Sequence, residues 1–374
     1  MFSMKKKLIK LTQDLVKIKS ISSRIEELNQ IIDFVSDYFS DSHWLTIKQF
    51  IFNNKPSIII SNHDWLENDV VMSWHLDVVP AGDDQFLGIL AENKIFWRGA
   101  GDMKSGVAIM MYLMKELGDM KISQKVSLIL TTDEEIWWFD GTEQLIKMWY
   151  RWDYILIPDS GTPINEIILK EKGILWLTVS AVWIACHSSR PREGKNAIEK
   201  ILTFYHKIKK LLQNDDKLFQ TENHRSTSVN LNVIEWGTAL NTLPAAAQAK
   251  IDIRFTEEHK NLNHVKKIVE KVAIECECEI IWSLEAEMLF TDENDPQLQK
   301  YLQISKEILG DYCFFSQEHW GSDGRFFSEA GWKVILQKPT SWNTHGQEER
   351  VDTNDFEKLY SIYKNFILNY SRSN

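Results

Sequence analysis

The chain has 374 residues, of which 44% are hydrophobic and 26% are charged, and its formal net charge is -10. This length exceeds one ordinary hydrophobic core and predicts two domains. The acidic balance argues against a nucleic-acid or anionic-membrane partner. The chain contains no apolar run of about 18 residues, so no membrane-spanning helix is predicted. The four cysteines form no Cys-x-x-Cys pair and the start lacks a signal-type apolar core, so we expect a cytoplasmic protein.

Strand and helix patterns alternate along the first half of the chain. Apolar runs predict strands at 56–61, 69–74, 125–132 and 153–158, and periodic patterns predict helices at 4–19, 24–39, 103–117 and 141–149. This alternation indicates an α/β domain built on a mainly parallel sheet. Asp102 is predicted to be the N-cap of the third helix, and Gly118 its C-cap.

The pattern changes at about residue 173. From there to about residue 285, strands and helices follow the order β-α-β-β-α-β, which is the order of a ferredoxin-like module. The α/β pattern then returns, with helices predicted at 296–309, 323–330 and 353–370 and a strand at 333–336. We therefore expect residues 1–172 and 286–374 to form one domain, into which residues 173–285 are inserted.

Acidic and histidine side chains follow the predicted strands of the first domain. They are His75, Asp77, Asp133, Glu134, Glu135, Asp159 and His345, together with Asp102 at a loop-to-helix junction. Because ligands of open α/β sheets bind beyond the carboxyl ends of strands, these groups are expected to converge. Imidazoles and carboxylates suit zinc-like ions, and one carboxylate can bridge two ions. Each motif alone has an ordinary structural explanation, but the ordered combination predicts a two-metal site.

Two short spacings indicate how such a site would work. Asp77 is placed to accept a hydrogen bond from the far ring nitrogen of His75, which would fix the tautomer of that ring. Of the adjacent Glu134 and Glu135, one can bind metal while the other accepts a proton from the attacking water.

Eight segments resemble, in order, the motifs of the dinuclear zinc aminoacylase and carboxypeptidase family. The segments are HLDVVPAGD, WRGAGDMKSG, TTDEE, IPDSG, ACHSSRPREGKNAI, NTLPAAAQAKIDIR, GSDGRFF and THGQEERV. The resemblance covers nearly the whole chain, including the inserted module. It implies a catalytic metallohydrolase domain with a mainly parallel sheet, and an inserted ferredoxin-like domain that acts as a lid and a dimerisation surface.

The resemblance also implies a ligand for each metal position. The implied ligands are His75, Asp102, Glu135, Asp159 and His345. Asp102 would bridge the two ions, with His75 and Asp159 on one ion and Glu135 and His345 on the other. The ions are expected to be zinc, with cobalt or manganese as alternatives, because this ligand set accommodates all three.

Further roles are implied for residues around the metals. Glu134 would be the general base and acid, and Asp77 would support His75. His187 of the inserted module would reach a neighbouring subunit's site and stabilise the oxyanion, with a surface-loop histidine as the alternative. Arg254 and Asn241 would contact the carboxylate or amide of the substrate.

Three of the implied contacts have equally simple explanations. Arg254 could instead form a salt bridge within the lid, and Arg190 is a weaker candidate for substrate contact. Ser322 resembles a substrate-contact position but is explained as well by a role as the N-cap of the following helix.

These roles predict a homodimeric amide hydrolase that uses two metal ions to remove an N-acyl group from an amino acid. A desuccinylase or deacetylase of lysine or arginine biosynthesis is the first expectation, with a small N-acyl amino acid or short peptide as substrate. A dipeptidase or carboxypeptidase of the same family is the alternative within this chemistry. A non-catalytic relative that serves as a binding scaffold is the alternative outside it.

Tryptophan is unusually frequent, with 15 residues against 16 glycines. Glycine makes up about 4% of the chain, whereas about 7% is usual. Seven tryptophans stand where the family motifs carry glycine: Trp74, Trp97, Trp138, Trp183, Trp236, Trp320 and Trp342. They could line an aromatic substrate pocket, mark a non-catalytic relative, or result from UGA codons that one genetic code reads as glycine and another as tryptophan. We favour the third explanation because it accounts for both the tryptophan excess and its positions.

Overall fold

The computed structural model describes residues 3–63, 67–136, 140–148, 151–214, 226–237 and 239–371. The chain forms two compact units. The first contains Met1–Leu169, Thr291–Glu318 and Phe326–Asn374, and the second contains Lys170–Phe290 and His319–Arg325. Among the described residues, no helix combines the length and the apolar character needed to cross a lipid bilayer.

The strands and helices are numbered in chain order. The strands are β1 (Thr46–Phe52), β2 (Lys55–Ser61), β3 (Glu67–His75), β4 (Ile89–Ala91), β5 (Lys94–Phe96), β6 (Val126–Thr131), β7 (Arg151–Ile157), β8 (Glu166–Lys170), β9 (Gly173–Val182), β10 (Cys186–His187), β11 (Ser228–Glu235), β12 (Thr242–Leu243), β13 (Ala246–Phe255), β14 (Glu279–Ala286), β15 (Phe314–Gln317), β16 (Lys333–Leu336), β17 (Ser341–Trp342) and β18 (Arg350–Asp352). The helices are α1 (Met4–Lys17), α2 (Ile25–Phe39), α3 (Ser105–Met120), α4 (Thr142–Lys147), α5 (Ala197–Leu212), α6 (Leu262–Glu275), α7 (Pro296–Leu309), α8 (Gly324–Glu329) and α9 (Phe356–Asn369).

The first unit is built on an eight-stranded sheet in the order β1-β2-β6-β3-β7-β16-β8-β15. The four central strands, β6, β3, β7 and β16, are mutually parallel, whereas β2 and β8 run antiparallel to their neighbours β6 and β16. Every residue of β6 is buried, as expected for a central strand that helices cover on both faces. The predicted α/β class with a large, mostly parallel sheet is confirmed.

Amphipathic helices cover this sheet. The helix α1 turns Leu8, Leu11 and Leu15 inward, at the spacing that places them on one helix face. The helix α3 is buried along most of its length, and α9 buries Phe356, Phe366 and their apolar neighbours. The four short strands β17, β18, β5 and β4 form a separate small sheet in that order.

The second unit has the predicted β-α-β-β-α-β order. Its main sheet is antiparallel, with the strand order β11-β13-β9-β14. Phe204 of α5 and Val269 of α6 lie in the same apolar cluster as Leu177 of β9 and Ile251 of β13. The two helices therefore pack on one face of the sheet. The inserted ferredoxin-like module is confirmed.

The predicted caps of the third helix are wrong. The helix α3 begins at Ser105, and Asp102 has a non-helical backbone whose amide donates to the Glu349 carboxylate. Gly118 lies inside the helix, which continues to Met120. A Cβ at Gly118 would meet the Leu45 side chain at 2.8 Å, so close packing rather than helix termination explains this glycine.

Most predicted elements match the observed ones to within three residues at each end. The end of the predicted helix 141–149 lies outside the described residues. The short strands β4, β5, β10, β12, β17 and β18 lie outside the predicted elements. In the large sheet, so do β1, β8 and β15. Each lies in the outer part of the sheet, and β1 has an alternating burial pattern with no long apolar run.

Asp295 joins a helix start to the sheet, and its removal tests this connection. Its carboxylate accepts the amides of Gln297 and Leu298, as an N-cap does, and also receives hydrogen bonds from Tyr154 Oη (2.6 Å) and Lys333 Nζ (2.5 Å). Burial raises the pKa of Asp295, but the hydrogen bonds from Lys333 and Tyr154 outweigh it and hold the pKa below its ordinary value.

We expect Asp295→Ala to lower the free energy of unfolding by about 1–2 kcal/mol through loss of the cap. Asp295→Asn keeps the cap but removes the carboxylate charge and turns an amide N–H toward the half-exposed Lys333, which costs about 0.5–1 kcal/mol. Because the folded pKa is depressed, this charge contribution is present above pH of about 4 and disappears as the pH falls through the folded pKa. Urea unfolding of both variants at pH 7 and pH 3 measures it, and an unchanged Asn deficit at pH 3 would contradict the assignment.

Candidate metal centre

The predicted polar side chains of the first unit converge at one edge of its sheet. His75 is the last residue of β3, Glu134 and Glu135 follow β6, and Asp159 follows β7. Because β6, β3 and β7 are adjacent and parallel, their carboxyl ends meet at this edge. His345 reaches the same place from the loop between β17 and β18.

Asp102 lies between the two histidines. Its Oδ1 is 3.4 Å from Nε2 of His75, and its Oδ2 is 3.0 Å from Nε2 of His345. Nε2 of His345 also lies 3.2 Å from Oε2 of Glu135. Each oxygen of the Asp102 carboxylate thus faces a different imidazole, which is the arrangement of a carboxylate that bridges two ions.

Within the described part of the chain, three overlapping groups of side chains could each hold a divalent ion. In every group the candidate ligand atoms lie within 4.8 Å of one another. The groups are His75, Asp102 and Asp159; Asp102, Glu135 and His345; and His75, Glu134 and Glu135. The first two groups share Asp102 and contain all five predicted ligands.

Two buried atoms of this cluster fit the role of metal ligands. Nε2 of His75 and Oε1 of Glu135 are buried, and neither has a hydrogen-bond partner among the described residues. A buried polar atom without a partner costs free energy, and a bound cation would offset that cost. The mixed nitrogen and oxygen donors suit zinc-like ions.

The electrostatics of the cluster reflect crowded carboxylates around two imidazoles. Burial lowers the pKa of His75, but the carboxylates of Glu134, Asp102 and Asp77 raise it well above the ordinary histidine value. Hydrogen bonds to Asp102 and Glu135 raise the pKa of His345 to about 10. Burial is the main cause that raises the pKa of both Glu135 and Asp159. The crowded carboxylates therefore favour positive charge in the cluster, either as protons on the imidazoles or as a bound cation.

Asp77 lies beside Nδ1 of His75, as predicted, and its backbone oxygen is the nearer of its two contacts with that ring. Nδ1 of His75 is 3.0 Å from the backbone oxygen of Asp77, whereas the Asp77 carboxylate is farther away, at 3.4 Å. The carboxylate instead accepts the backbone amides of Glu134 and Glu135, each at 3.1 Å, and the hydroxyl of Ser22 at 2.7 Å. Asp77 thus holds the turn that presents both glutamates.

Sequence reasoning missed Ser22, Lys338 and Glu318. The Nζ of Lys338, a buried lysine, lies 3.2 Å from Oδ1 of Asp159 and neutralises part of its charge. Glu318 accepts the backbone amide of Gly161, and burial raises its pKa to about 7. None of these residues belongs to a spacing motif, so only the folded chain shows their proximity to the site.

The remaining predicted residues lie in the second unit. His187 is exposed, and its Nδ1 contacts the Ser189 hydroxyl at 2.8 Å. Arg190 is also exposed and pairs with Glu193 at 3.6 Å. The backbone oxygen of Asn241 accepts the amide of Ser188.

Arg254 and Ser322 have local partners within the second unit. Nε of Arg254 donates to Oδ1 of Asp252 at 2.9 Å, which is the lid salt bridge left open by the sequence. The hydroxyl of Ser322 donates to Glu171 and accepts the amide of Gly324, the first residue of α8. Ser322 thus accepts an amide at the start of α8 from two residues before that helix, and the substrate-contact roles of these residues stay predictions.

The chain is similar to known proteins over most of its length. The family model described as peptidase family M20/M25/M40 matches residues 71–369. A curated succinyl-diaminopimelate desuccinylase of Ehrlichia chaffeensis is 26% identical over 381 residues, covering 96% of this chain and 97% of that one.

Solved structures show the same fold. The aminopeptidase PepT of Bacillus cereus matches with a TM-score of 0.77 at 16% identity, covering 97% of this chain and 98% of that one. The YXEP protein of Bacillus subtilis, described as a dinuclear metal binding peptidase, matches with a TM-score of 0.64 at 12% identity, and 97% of both chains is covered.

The parallel sheet with a carboxylate and histidine cluster at its carboxyl edge defines a metallohydrolase that acts on amide or peptide bonds. The chain belongs to the M20/M25/M40 peptidase family. The resemblance inferred from the motifs is confirmed, and so is the assignment as an enzyme.

Asp77 offers a test of how the turn bearing the glutamates is held. In Asp77→Asn, the new side-chain N–H would face the backbone N–H of Glu134 or Glu135, which donates to the carboxylate in the wild type. We expect divalent-ion affinity to fall about 10- to 100-fold, as for other residues that orient ligands. The metal-free protein should also melt at a lower temperature, because two buried donors then face each other. Calorimetric titration with Zn²⁺ measures the affinity. Ser22→Ala serves as the milder control, and equal affinity in wild type and Asp77→Asn would refute this role.

Proposed function

We propose that this chain is a two-metal deacylase that hydrolyses N-succinyl-diaminopimelate to succinate and diaminopimelate. Curated relatives named succinyl-diaminopimelate desuccinylase, at 24–28% identity, support this substrate. The observation that carries the reaction type is the carboxylate of Asp102, which faces His75 with one oxygen and His345 with the other. The proposal places the enzyme in lysine biosynthesis and in the cytoplasm.

The proposed ligands of one ion are His75, Asp102 and Asp159, and those of the other are Asp102, Glu135 and His345. When bound, zinc ions would polarise the substrate carbonyl and increase the acidity of water. The fold keeps His75 fully buried and anchors its Nδ1 on a backbone oxygen, so its Nε2 points into the cluster. Lys338 holds the Asp159 carboxylate in place.

Glu134 is the proposed general base and acid. Oε2 of Glu134 lies 3.9 Å from Nε2 of His75, so its carboxylate borders the cluster, and its side chain is 15% exposed. The Asp77 carboxylate holds the backbone amide of Glu134. From this position Glu134 would take a proton from the attacking water and deliver it to the leaving amine, which is the general acid–base role.

The second unit is proposed to be a lid and dimerisation domain, divided from the catalytic domain near residues 173 and 285. Its exposed His187 would stabilise the oxyanion in a neighbouring subunit. Arg254, Asn241, Arg190 and Ser322 are the proposed substrate contacts. Closure of such a lid would exclude water from the reacting groups.

A substrate panel tests the proposal. The purified enzyme, loaded with Zn²⁺, is offered N-succinyl-diaminopimelate, N-acetylornithine and simple dipeptides, and the released amine is measured. We expect kcat/KM for the succinyl compound to exceed the others by at least about 100-fold, since a site built to pair with a substrate carboxylate rejects analogues that lack it. Preferred cleavage of a dipeptide would replace the proposal with peptidase activity.

Two controls accompany the panel. Chelation followed by readdition of Zn²⁺, Co²⁺ or Mn²⁺ is expected to abolish and restore turnover, which also compares the metals. Glu134→Gln should keep two bound ions while kcat falls about 100- to 10,000-fold, the usual contribution of general acid–base catalysis. Full activity in Glu134→Gln would assign the proton transfer to another group.

A further inference from the structure

We propose that Arg98 and Glu349 form a positioning pair that sets the distance between the two proposed metal pockets. This inference rests on the proposed function, because it assigns Asp102 and His345 as ligands. Neither member of the pair touches the cluster with its own side-chain charge. Both act through the backbone of the residues that do.

Glu349 holds the backbone at Asp102. Its side chain is fully buried, and its Oε1 accepts the amides of Gly101 and Asp102, each at 2.9 Å. Its Oε2 accepts a hydrogen bond from Nη1 of Arg98 at 2.6 Å. Three donors thus satisfy the carboxylate, and two of them belong to the segment that carries the bridging ligand.

Arg98 holds the backbone at His345. Nη2 of the guanidinium donates to the backbone oxygen of His345 at 2.7 Å and reaches that of Gly346 at 3.4 Å. His345 has a φ of 62°, in the left-handed region that non-glycine residues adopt infrequently. A charged donor on its carbonyl stabilises this conformation, which directs the imidazole toward Asp102.

The pair therefore connects two segments that are 247 residues apart, as counted from Asp102 to Glu349. One segment supplies Asp102 and the other supplies His345, and their side chains meet at 3.0 Å. Arg98 is only 4% exposed, so the ion pair is shielded from solvent. Removal of one partner would leave the other buried and uncompensated, and the two backbone segments would lose their common anchor.

Glu349→Gln and Arg98→Lys test the positioning role. In Glu349→Gln, an amide N–H must face either Arg98 or the two backbone amides. In Arg98→Lys, the positive charge remains, but the fork that reaches both Glu349 and the His345 carbonyl is lost. The control is Glu116→Gln, because Glu116 pairs with Lys364 and Tyr360 in the same unit, outside the cluster.

The readouts are calorimetric titration with Zn²⁺, the visible spectrum of the Co²⁺-loaded protein, and kcat and KM. We expect Glu349→Gln to weaken ion binding about 10- to 100-fold, to change the Co²⁺ spectrum, and to lower kcat with KM nearly unchanged. Arg98→Lys is expected to weaken one of the two binding steps, that of the His345 pocket. Glu116→Gln should match wild type in all three readouts.

Ion binding by the wild-type protein distinguishes failure of the positioning role from failure of the proposed function. If wild type does not bind two ions, the proposed function itself fails. If wild type binds two ions, and Glu349→Gln and Arg98→Lys bind them equally well with the same Co²⁺ spectrum, the positioning role is overturned. If Glu349→Gln does not fold, Arg98→Lys alone decides by the same criterion.

Trp97, next to Arg98, carries an independent inference. Its φ is 96°, and Trp236 has a φ of 155°, near the edge of the same region. Every other described non-glycine residue with positive φ lies between 46° and 66°, where L-residues have a small allowed region. Described glycines of this chain with positive φ span 60° to 109°. Trp97 thus has a glycine backbone conformation.

The side chain of Trp97 adds to this mismatch. Its Nε1 is buried without a hydrogen-bond partner among the described residues, and the same is true of Nε1 of Trp74, the fully buried residue before His75. Its backbone amide donates to the Glu349 oxygen at 2.7 Å, so the strained conformation is fixed by the loop. Glycine would keep this hydrogen bond and remove both the strain and the unpaired indole.

We infer that residue 97 is glycine in the protein made by its host, and that Trp74 and Trp236 arise in the same way. A UGA codon read as glycine in the host and as tryptophan in translation of the gene sequence explains all three. It also explains why tryptophans, at 15, nearly equal the 16 glycines. Trp138 lies outside the described residues, so its backbone adds nothing to the inference.

Peptide mass analysis of the protein from its host, covering residues 70–104 and 230–240, tests this inference directly. Glycine masses at 74, 97 and 236 are expected, and tryptophan masses or UGG codons there would overturn it. In recombinant protein, Trp97→Gly should melt at a higher temperature than Trp97→Ala, because alanine retains the Cβ. At Trp44, an exposed residue without positive φ, alanine should melt at least as high as glycine.

Discussion

The Asp102 carboxylate shares its two oxygens between two imidazoles, and the rest of the first unit is arranged around that contact. Four carboxylates and two histidines crowd one edge of a sheet, and burial alone would drive the carboxylates toward their neutral forms. Such a cluster persists in a folded protein only when positive charge compensates it. Protons on the histidines compensate part of the carboxylate charge, and two divalent ions would compensate all of it. The same residues are therefore suited to a metal centre.

Three parallel strands make this crowding geometrically simple. Neighbouring parallel strands lie about 4.8 Å apart and end at the same edge of the sheet. The residues that follow them are therefore close together. His75, Glu135 and Asp159 arrive in this way, each after a buried apolar run. The other ligands come from loops and need separate support. Arg98 donates to the backbone oxygen of His345, and Glu349 accepts the backbone amide of Asp102.

The candidate metal ligands and the residues proposed to contact the substrate lie in different units of the chain. The first unit contains all the candidate ligands and defines an amide or peptide hydrolase. The residues proposed to contact the substrate belong to the second unit, where Arg254 and Ser322 make local contacts. Desuccinylases and peptidases share this fold, so the fold alone does not determine the substrate. Side chains that differ between these proteins determine it.

The sequence alone determined the α/β class, the inserted β-α-β-β-α-β module and the residues that meet at the sheet edge. It could do so because buried strands, helical periodicity and strand-end polar groups are local patterns with a fixed geometric meaning. It misassigned Asp102 as a helix cap, since a carboxylate before a helix has the same local signature whether it caps or binds. Only the tertiary structure decided that Asp77 holds the glutamate turn, that Lys338 pairs with Asp159, and that Arg98 and Glu349 link two ligand-bearing segments. These contacts join residues from distant parts of the chain, and no local pattern encodes which buried charges will pair once the sheet has formed.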